Sequence, residues 1–268
     1  MDTYADVVRY RELLGNLFRR DVQARYRGSA LGVLWTIANP VLLMGVYLLV
    51  FSVIWKTPFQ NGVDHYPVFL LVGLAAWTFL SASLTTASRS LIDNGNLIRK
   101  TRFPRQLVPL SVVGANLVSF GVMLVGLLAL SFVVLPRTRE TEWLAIPLSL
   151  LVVALVAGLA LALACVNVLF RDVEFIVAAL LLPWFFLTPV LYPLSGVPGS
   201  GAHHHGLVEA IHWVNFVSPA VEAVRDPLYW GRLPYWLDVV YLAAAALVSL
   251  ALGALVFRRV DDQIAIEV

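Results

Sequence analysis

The chain has 268 residues, of which 60% are hydrophobic and 13% charged, and its formal net charge is +2. Soluble domains are about half apolar and about a quarter charged; with a mean hydropathy of +0.81, this composition excludes an ordinary soluble fold and indicates a polytopic membrane protein. So small a net charge says little about partners, but its distribution along the chain says a good deal.

The N-terminal segment, residues 1–30, predicts a cytosolic amphipathic helix. Val7, Tyr10, Leu14, Leu17, Phe18 and Val22 recur at helical spacing, with Arg9, Arg11, Glu12, Arg19, Arg20 and Asp21 mostly elsewhere on the wheel. Such a helix suits the headgroup layer, where its basic face meets anionic lipid, and it can also dock a cytosolic partner. The start is polar and basic with no short apolar core before a cleavage site, so no signal peptide is expected.

Six stretches are apolar enough to span: Val33–Trp55, Pro67–Ser88, Leu107–Leu135, Leu144–Leu169, Phe175–Tyr192 and Val239–Phe257. Pro183 and Pro189 interrupt the fifth. With both termini inside, 14 Lys and Arg fall on the cytosolic side and 5 outside, and the positive-inside rule selects this orientation. The loop Ser88–Gln106 is short, basic and stopped at Phe103-Pro104; it reads as a topology determinant or a contact surface.

Between the fifth and sixth spans, residues 194–237 are too polar to cross and too apolar for a plain loop, which predicts two short re-entrant or interfacial helices. Trp213, Phe216, Tyr229, Trp230, Tyr235 and Trp236 suit an interfacial aromatic belt. His203–His205 are consecutive and converge poorly on a metal, so a solvated loop is expected and no metal site. Cys165 is the single cysteine and lies in a span, where packing is its expected role. There is no internal repeat. The fold class expected is therefore an all-α membrane protein, one transmembrane domain over residues 1–268.

The spans contain no Asp, Glu, Lys, Arg or His, which argues against proton-coupled transport and against a catalytic site, so no catalytic residue is assigned. No G-x-x-x-x-G-K-[ST] phosphate loop is present either. What the spans do carry is aromatic and hydroxyl side chains. Tyr47, Phe51 and Trp55 recur every fourth residue, as do Trp184, Thr188 and Tyr192 with Phe185 beside them; Ser81, Thr85 and Ser88 form a hydroxyl stripe. Rings and hydroxyls suit the passage of a hydroxyl-rich polymer through many weak contacts. The same residues serve helix packing and interfacial anchoring equally well.

Four segments then stand out together: RDVQARYRGSALGVLW at Arg20–Trp35, IRKTRFPRQLVPLS at Ile98–Ser111, FRDVEFIVAALLLPWFFLTPVLYP at Phe170–Pro193 and NFVSPAVEAVRDPLYWG at Asn215–Gly231. In order and spacing they resemble the membrane permeases of type-2 ABC exporters, in the branch that exports O-antigen, teichoic acid and capsular polysaccharide. The resemblance runs from about Arg9 to the C-terminus. It implies a homodimer in the bacterial cytoplasmic (inner) membrane, with two copies of a cytosolic ATPase that use the ATP and Mg; no cofactor is bound by this chain. It implies a polyprenyl-pyrophosphate-linked polysaccharide as substrate. The aromatics of the first and fifth spans, with Ser81 and Thr85, would line its path.

By the same resemblance the loop around Arg99–Arg105 is the coupling helix and the N-terminal helix the interface helix, so Arg19, Arg20, Lys100, Phe103, Pro104 and Arg105 are expected to transmit ATPase motion. Arg25, Arg27, Arg99 and Arg102 cluster at the cytosolic ends of the spans, where Arg matches phosphate oxygens two at a time. The helices between the fifth and sixth spans would form the external gate, although the Gly-Pro and His-rich stretch Ser195–His205 departs from the plain turn expected there. A type-2 permease for a small lipid, drug or haem shares this architecture, and a passive channel also needs no charge in its spans.

Overall fold

The computed structural model describes residues 9–28, 32–50, 63–101, 103–193 and 205–267, and the regular structure among them is entirely helical. In chain order the helices are α1 (Arg11–Tyr26), α2 (Trp35–Leu48, entered through a short turn at Gly32–Leu34), α3 (Tyr66–Asp93), α4 (Gly95–Lys100), α5 (Leu107–Val134), α6 (Ala145–Leu169), α7 (Val173–Leu187), α8 (His205–Val214), α9 (Val217–Arg225) and α10 (Trp236–Glu267). Helices are what an apolar chain must form in lipid, because no water is present to satisfy its backbone.

Four helical stretches are long and apolar enough to cross: Tyr66–Asp93, Leu107–Val134, Glu142–Leu169 and Trp236–Asp261. They match the second, third, fourth and sixth expected spans, although α10 runs ten residues past Phe257. Shorter apolar helices, Ile37–Leu48 and Val173–Leu187, stand where the first and fifth were expected. Part of the first expected span, residues 51–62, lies outside the described residues. The fifth is short for a local reason. The backbone of Thr188 turns extended (φ −92°, ψ 137°), the conformation that Pro189 imposes on its predecessor, and α7 ends after 15 residues, about 22 Å.

The core forms around α3, which packs on both α5 and α6, while α6 and α10 make the most extensive helix pair. Their crossing is made by glycines. A Cβ on Gly158 would lie 2.3 Å from the Ser249 carbonyl carbon, and one on Gly253 would lie 2.5 Å from the Gly158 oxygen. The buried Ser249 hydroxyl donates to the Leu155 carbonyl across the pair at 2.7 Å. Small residues of this kind let helix backbones approach where lipid offers no hydrophobic drive.

A second core closes one end of the bundle, where Leu17 of α1 packs with Leu91, Ile98, Leu107, Val108, Leu161, Cys165 and Phe257. The apolar face of α1, expected in the headgroup layer, is thus turned onto the protein's own helices: Phe18 reaches Gly114 of α5, and the Ser111 hydroxyl donates to Asp21 at 2.7 Å. Apolar surface remains open elsewhere, on α2 (Leu42, Val46), α7 (Phe175, Leu182) and α10 (Leu247, Val248). Faces of that size require lipid or another chain against them.

Candidate translocation surface and its supports

The aromatic residues of α2 and α7 meet through α3. The Tyr47 and Phe185 rings stack at 5.7 Å, and Trp77 of α3 lies 5.5 Å from Phe185 and 6.1 Å from Trp184. Tyr47, Trp77 and Phe185, together with Leu43, Leu74 and Leu181, line an open cavity of about 260 Å³. Trp77 was not among the expected residues; it precedes Ser81 and Thr85 by four and eight positions on one helix face, and that register was its signal. Phe51 and Trp55 lie outside the described residues.

The hydroxyl stripe is turned inward on its own helix. Thr85 donates to the Ser81 carbonyl at 2.8 Å, Ser81 to Thr78 at 3.3 Å and Ser88 to Thr85 at 2.9 Å, the back-bonding typical of hydroxyls in apolar helices. Their lone pairs remain as acceptors. Thr188 is fully buried and serves as a pin: it donates to the Trp184 carbonyl at 2.8 Å and accepts from Asn215 Nδ2 at 2.9 Å. Asn215 Oδ1 in turn accepts from Trp184 Nε1 at 2.8 Å. Asn215 therefore sets the indole orientation from the far side of the α7–α8 connection. The Tyr192 hydroxyl donates to the Phe186 carbonyl at 3.1 Å.

The arginines expected at one cytosolic cluster are separated. Arg25 lies alongside α5, its Nη1 3.4 Å from the Ser119 hydroxyl. Ser119 is twelve residues along α5 from Leu107, a rise of about 18 Å. Arg99 and Lys100 sit on α4, before α5 begins, and are exposed; Arg27 is exposed just beyond α1. Arg102 lies outside the described residues.

The loop between α4 and α5 is anchored at two points, and the start of α4 at a third. Phe103 packs on the second core, and Arg105 pairs with Asp261 of α10 at 2.9 Å and also donates to the Asp261 carbonyl. Arg20 of α1 pairs with Asp21 at 2.9 Å and donates to Asn94 at 2.8 Å. Pro104 is half-buried between these anchors, whereas Arg19 is exposed. These contacts tie the connection between α3 and α5 to both α1 and α10.

At the opposite end, in the external segment where two short helices were expected, sits a charged core. Arg225, at the end of α9, is 0% exposed. Its Nη1 donates to Glu222 and to the Pro189 carbonyl, each at 2.6 Å, and its Nη2 to the Val190 carbonyl at 3.1 Å. The guanidinium carbon lies 3.9 Å from the Phe69 ring centre, and Gly73 leaves room for the group, since a Cβ there would meet Nη2 at 2.4 Å. Burial pushes the Glu222 carboxyl up and the Arg225 guanidinium down, and each charge pulls the other back. Beside them, burial raises Asp226 against the pull of Arg232, which it binds at 2.8 Å. His212 meets Asp238 at 2.8 Å and ties α8 to α10.

The two helices between α7 and α10 are present as expected, but the aromatic belt is only partly realised. Tyr235 and Trp236 are exposed, whereas Tyr229 is fully buried and donates to the Asp64 carbonyl, because α9 is packed into the bundle against α3, α6 and α10. His203 and His204 lie outside the described residues. Among the described residues no group of three His, Cys, Asp or Glu side chains is arranged to hold a metal ion.

Comparison with known proteins agrees with this arrangement. Residues 12–229 match the family described as ABC-2 type transporter. The chain is 36% identical over 263 residues to an O-antigen export system permease protein RfbA of Myxococcus xanthus, covering 97% of this chain and 96% of the relative. It is 29% identical over 248 residues to a Klebsiella pneumoniae protein of the same name, with 90% of each covered. To the polysialic acid transport protein KpsM of Escherichia coli it is 25% identical over 252 residues, with 92% of each covered. The chain belongs to the ABC-2 type transporter membrane family and is a multi-pass inner-membrane permease.

Proposed function

We propose that this chain is the transmembrane subunit of an ATP-driven exporter that moves a lipid-linked polysaccharide, of the O-antigen, capsular or teichoic acid kind, from the cytosol across the inner membrane. The observation that carries this reading is end-to-end similarity, at 36% identity, to a permease named for O-antigen export. The aromatic surface of Tyr47, Trp77, Trp184 and Phe185 supports it, since rings bind sugar faces weakly and without strict sequence demands.

In this reading the shorter helices α2 and α7 complete six spans with both termini inside, and two copies of the chain put their open α2 and α7 faces about one path. Two cytosolic ATPase subunits bind below, against Arg19, Arg20, Lys100, Phe103, Pro104 and Arg105. ATP and Mg belong to those subunits. Arg27, Arg99 and Arg102 meet the substrate's pyrophosphate as it arrives, and Arg25 meets it further along.

The test is to purify the chain in detergent with whatever it holds, and to read size and ATPase activity on one sample. Two copies recovered with two copies of an ATPase, and a polysaccharide left inside the cell on deletion of the gene, are expected. An ATPase-free particle that passes solute in liposomes overturns the reading.

A further inference from the structure

Between α1, α2, α3 and α5 lies a second open cavity, of about 320 Å³, large enough for a small headgroup. Arg25 stands on one side of it, Trp35, Phe79 and Phe120 supply aromatic walls, and Asn116 lines it from α5. Asn116 is 2% exposed. Its Nδ2 is committed to the Thr86 hydroxyl at 3.0 Å and to the Val112 carbonyl at 3.2 Å. A backbone carbonyl only accepts, so the amide is held in this orientation and Oδ1 is turned away from both. Asn116 Oδ1 has no hydrogen-bond partner among the described residues. A buried acceptor left unpaired in this way is costly and calls for a donor.

Arg25 has the complementary need. Among the described residues its one hydrogen bond is the 3.4 Å contact to Ser119 and no carboxylate pairs with it, and it lies some way along an apolar span. A guanidinium at that depth is stable when it meets an anion.

We infer that this cavity is a binding site for a phosphorylated lipid headgroup that carries a neighbouring hydroxyl or amide donor. The phosphate meets Arg25, the donor meets Asn116 Oδ1, and the aromatic walls cover the carbon skeleton. Two lipids offer that chemistry: a polyprenyl pyrophosphate with its first sugar, and phosphatidylglycerol. The site itself stands on the membrane placement alone; only the first occupant rests on the export reading above.

The full chain is purified in detergent, and lipid retention is read by native mass spectrometry in two arms, one with phosphatidylglycerol and one with a polyprenyl pyrophosphate bearing a single N-acetylhexosamine. Arg25→Gln is expected to weaken retention about tenfold and Asn116→Leu roughly threefold to tenfold. Ala82→Phe adds bulk to the cavity wall and leaves Arg25 and Asn116 in the sequence, and it is expected to do the same, so a folding defect in Asn116→Leu does not decide the outcome. Arg11→Gln, the same loss of charge at the far end of α1, is expected to change nothing. If only the glycolipid arm responds, the occupant is the exporter's substrate. If only phosphatidylglycerol responds, the site stands, its occupant is a resident lipid, and the export reading loses this support. Equal retention by all variants in both arms, or an equal loss with Arg11→Gln, overturns the site.

Discussion

The buried cation at the end of α9 offers the sharpest test of how this protein is held together. Truncating Arg225 to Ala removes the counter-charge of Glu222, whose side chain is 12% exposed, and the donors to the Pro189 and Val190 carbonyls. Breaking a buried pair by removing one partner costs about 3–5 kcal/mol, because the partner left behind is an uncompensated charge. At the lower figure, and about 2–4 °C per kcal/mol for a chain of this size, the thermal midpoint should fall by about 6–12 °C. The double variant Arg225→Met, Glu222→Leu removes both charges and keeps the volume, so it should recover at least half of that loss even though two carbonyls remain without donors. The midpoint is read by heating the detergent-solubilised protein and following its monodisperse peak on size exclusion. A fall of less than about 2 °C in the single variant, or a double variant no better than the single, would refute the argument that the pair, rather than the space it fills, anchors α9 to α3 and to the turn after α7.

Two further outcomes follow from the packing. Gly158→Ala should destabilise the protein by about 1–3 kcal/mol in SDS titration, because its Cβ would meet the α10 backbone at 2.3 Å; helix propensity alone predicts a gain of about 1 kcal/mol, so the sign decides between them. Arg105→Ala breaks a half-exposed pair with Asp261 and should cost less than about 1 kcal/mol in stability. In the reconstituted complex it should nevertheless raise the ATP hydrolysed per glycan exported; an unchanged ratio would mean that the anchored loop does not transmit the ATPase stroke.

Much of this was legible in the residues. The apolar lengths of α3, α5, α6 and α10 exceed any soluble helix requirement, and their ends sit where Pro67, Asn94, Pro109 and Pro147 punctuate the pattern. The break between α4 and α5 was recognisable from Phe103-Pro104 and its flanking cations, and the stacking of Tyr47 on Phe185 joins two segments that were already suspected of sharing one surface. Less legible was which aromatic joins them: Trp77 reads as one apolar residue among many, marked only by its register with Ser81 and Thr85.

The misreadings share a cause. Periodicity tells which face of a helix is apolar but not what covers it, so the apolar face of α1 was expected against headgroups and is covered instead by α5 and the second core. Arg225 counted as an external cation by its place in the chain, which left its burial unseen: the packing of α9 into the bundle makes it the largest fully buried side chain among the described residues. Thr188 carries the same lesson on a smaller scale, pinned by a partner 27 residues away. Composition and the order of apolar and basic segments by themselves determined that the chain is helical and membrane-spanning, because those properties depend on solvent and local backbone alone. Where the charges are neutralised, which rings meet and where a headgroup can sit were decided only by the tertiary structure, because each depends on the angle and register at which distant helices cross.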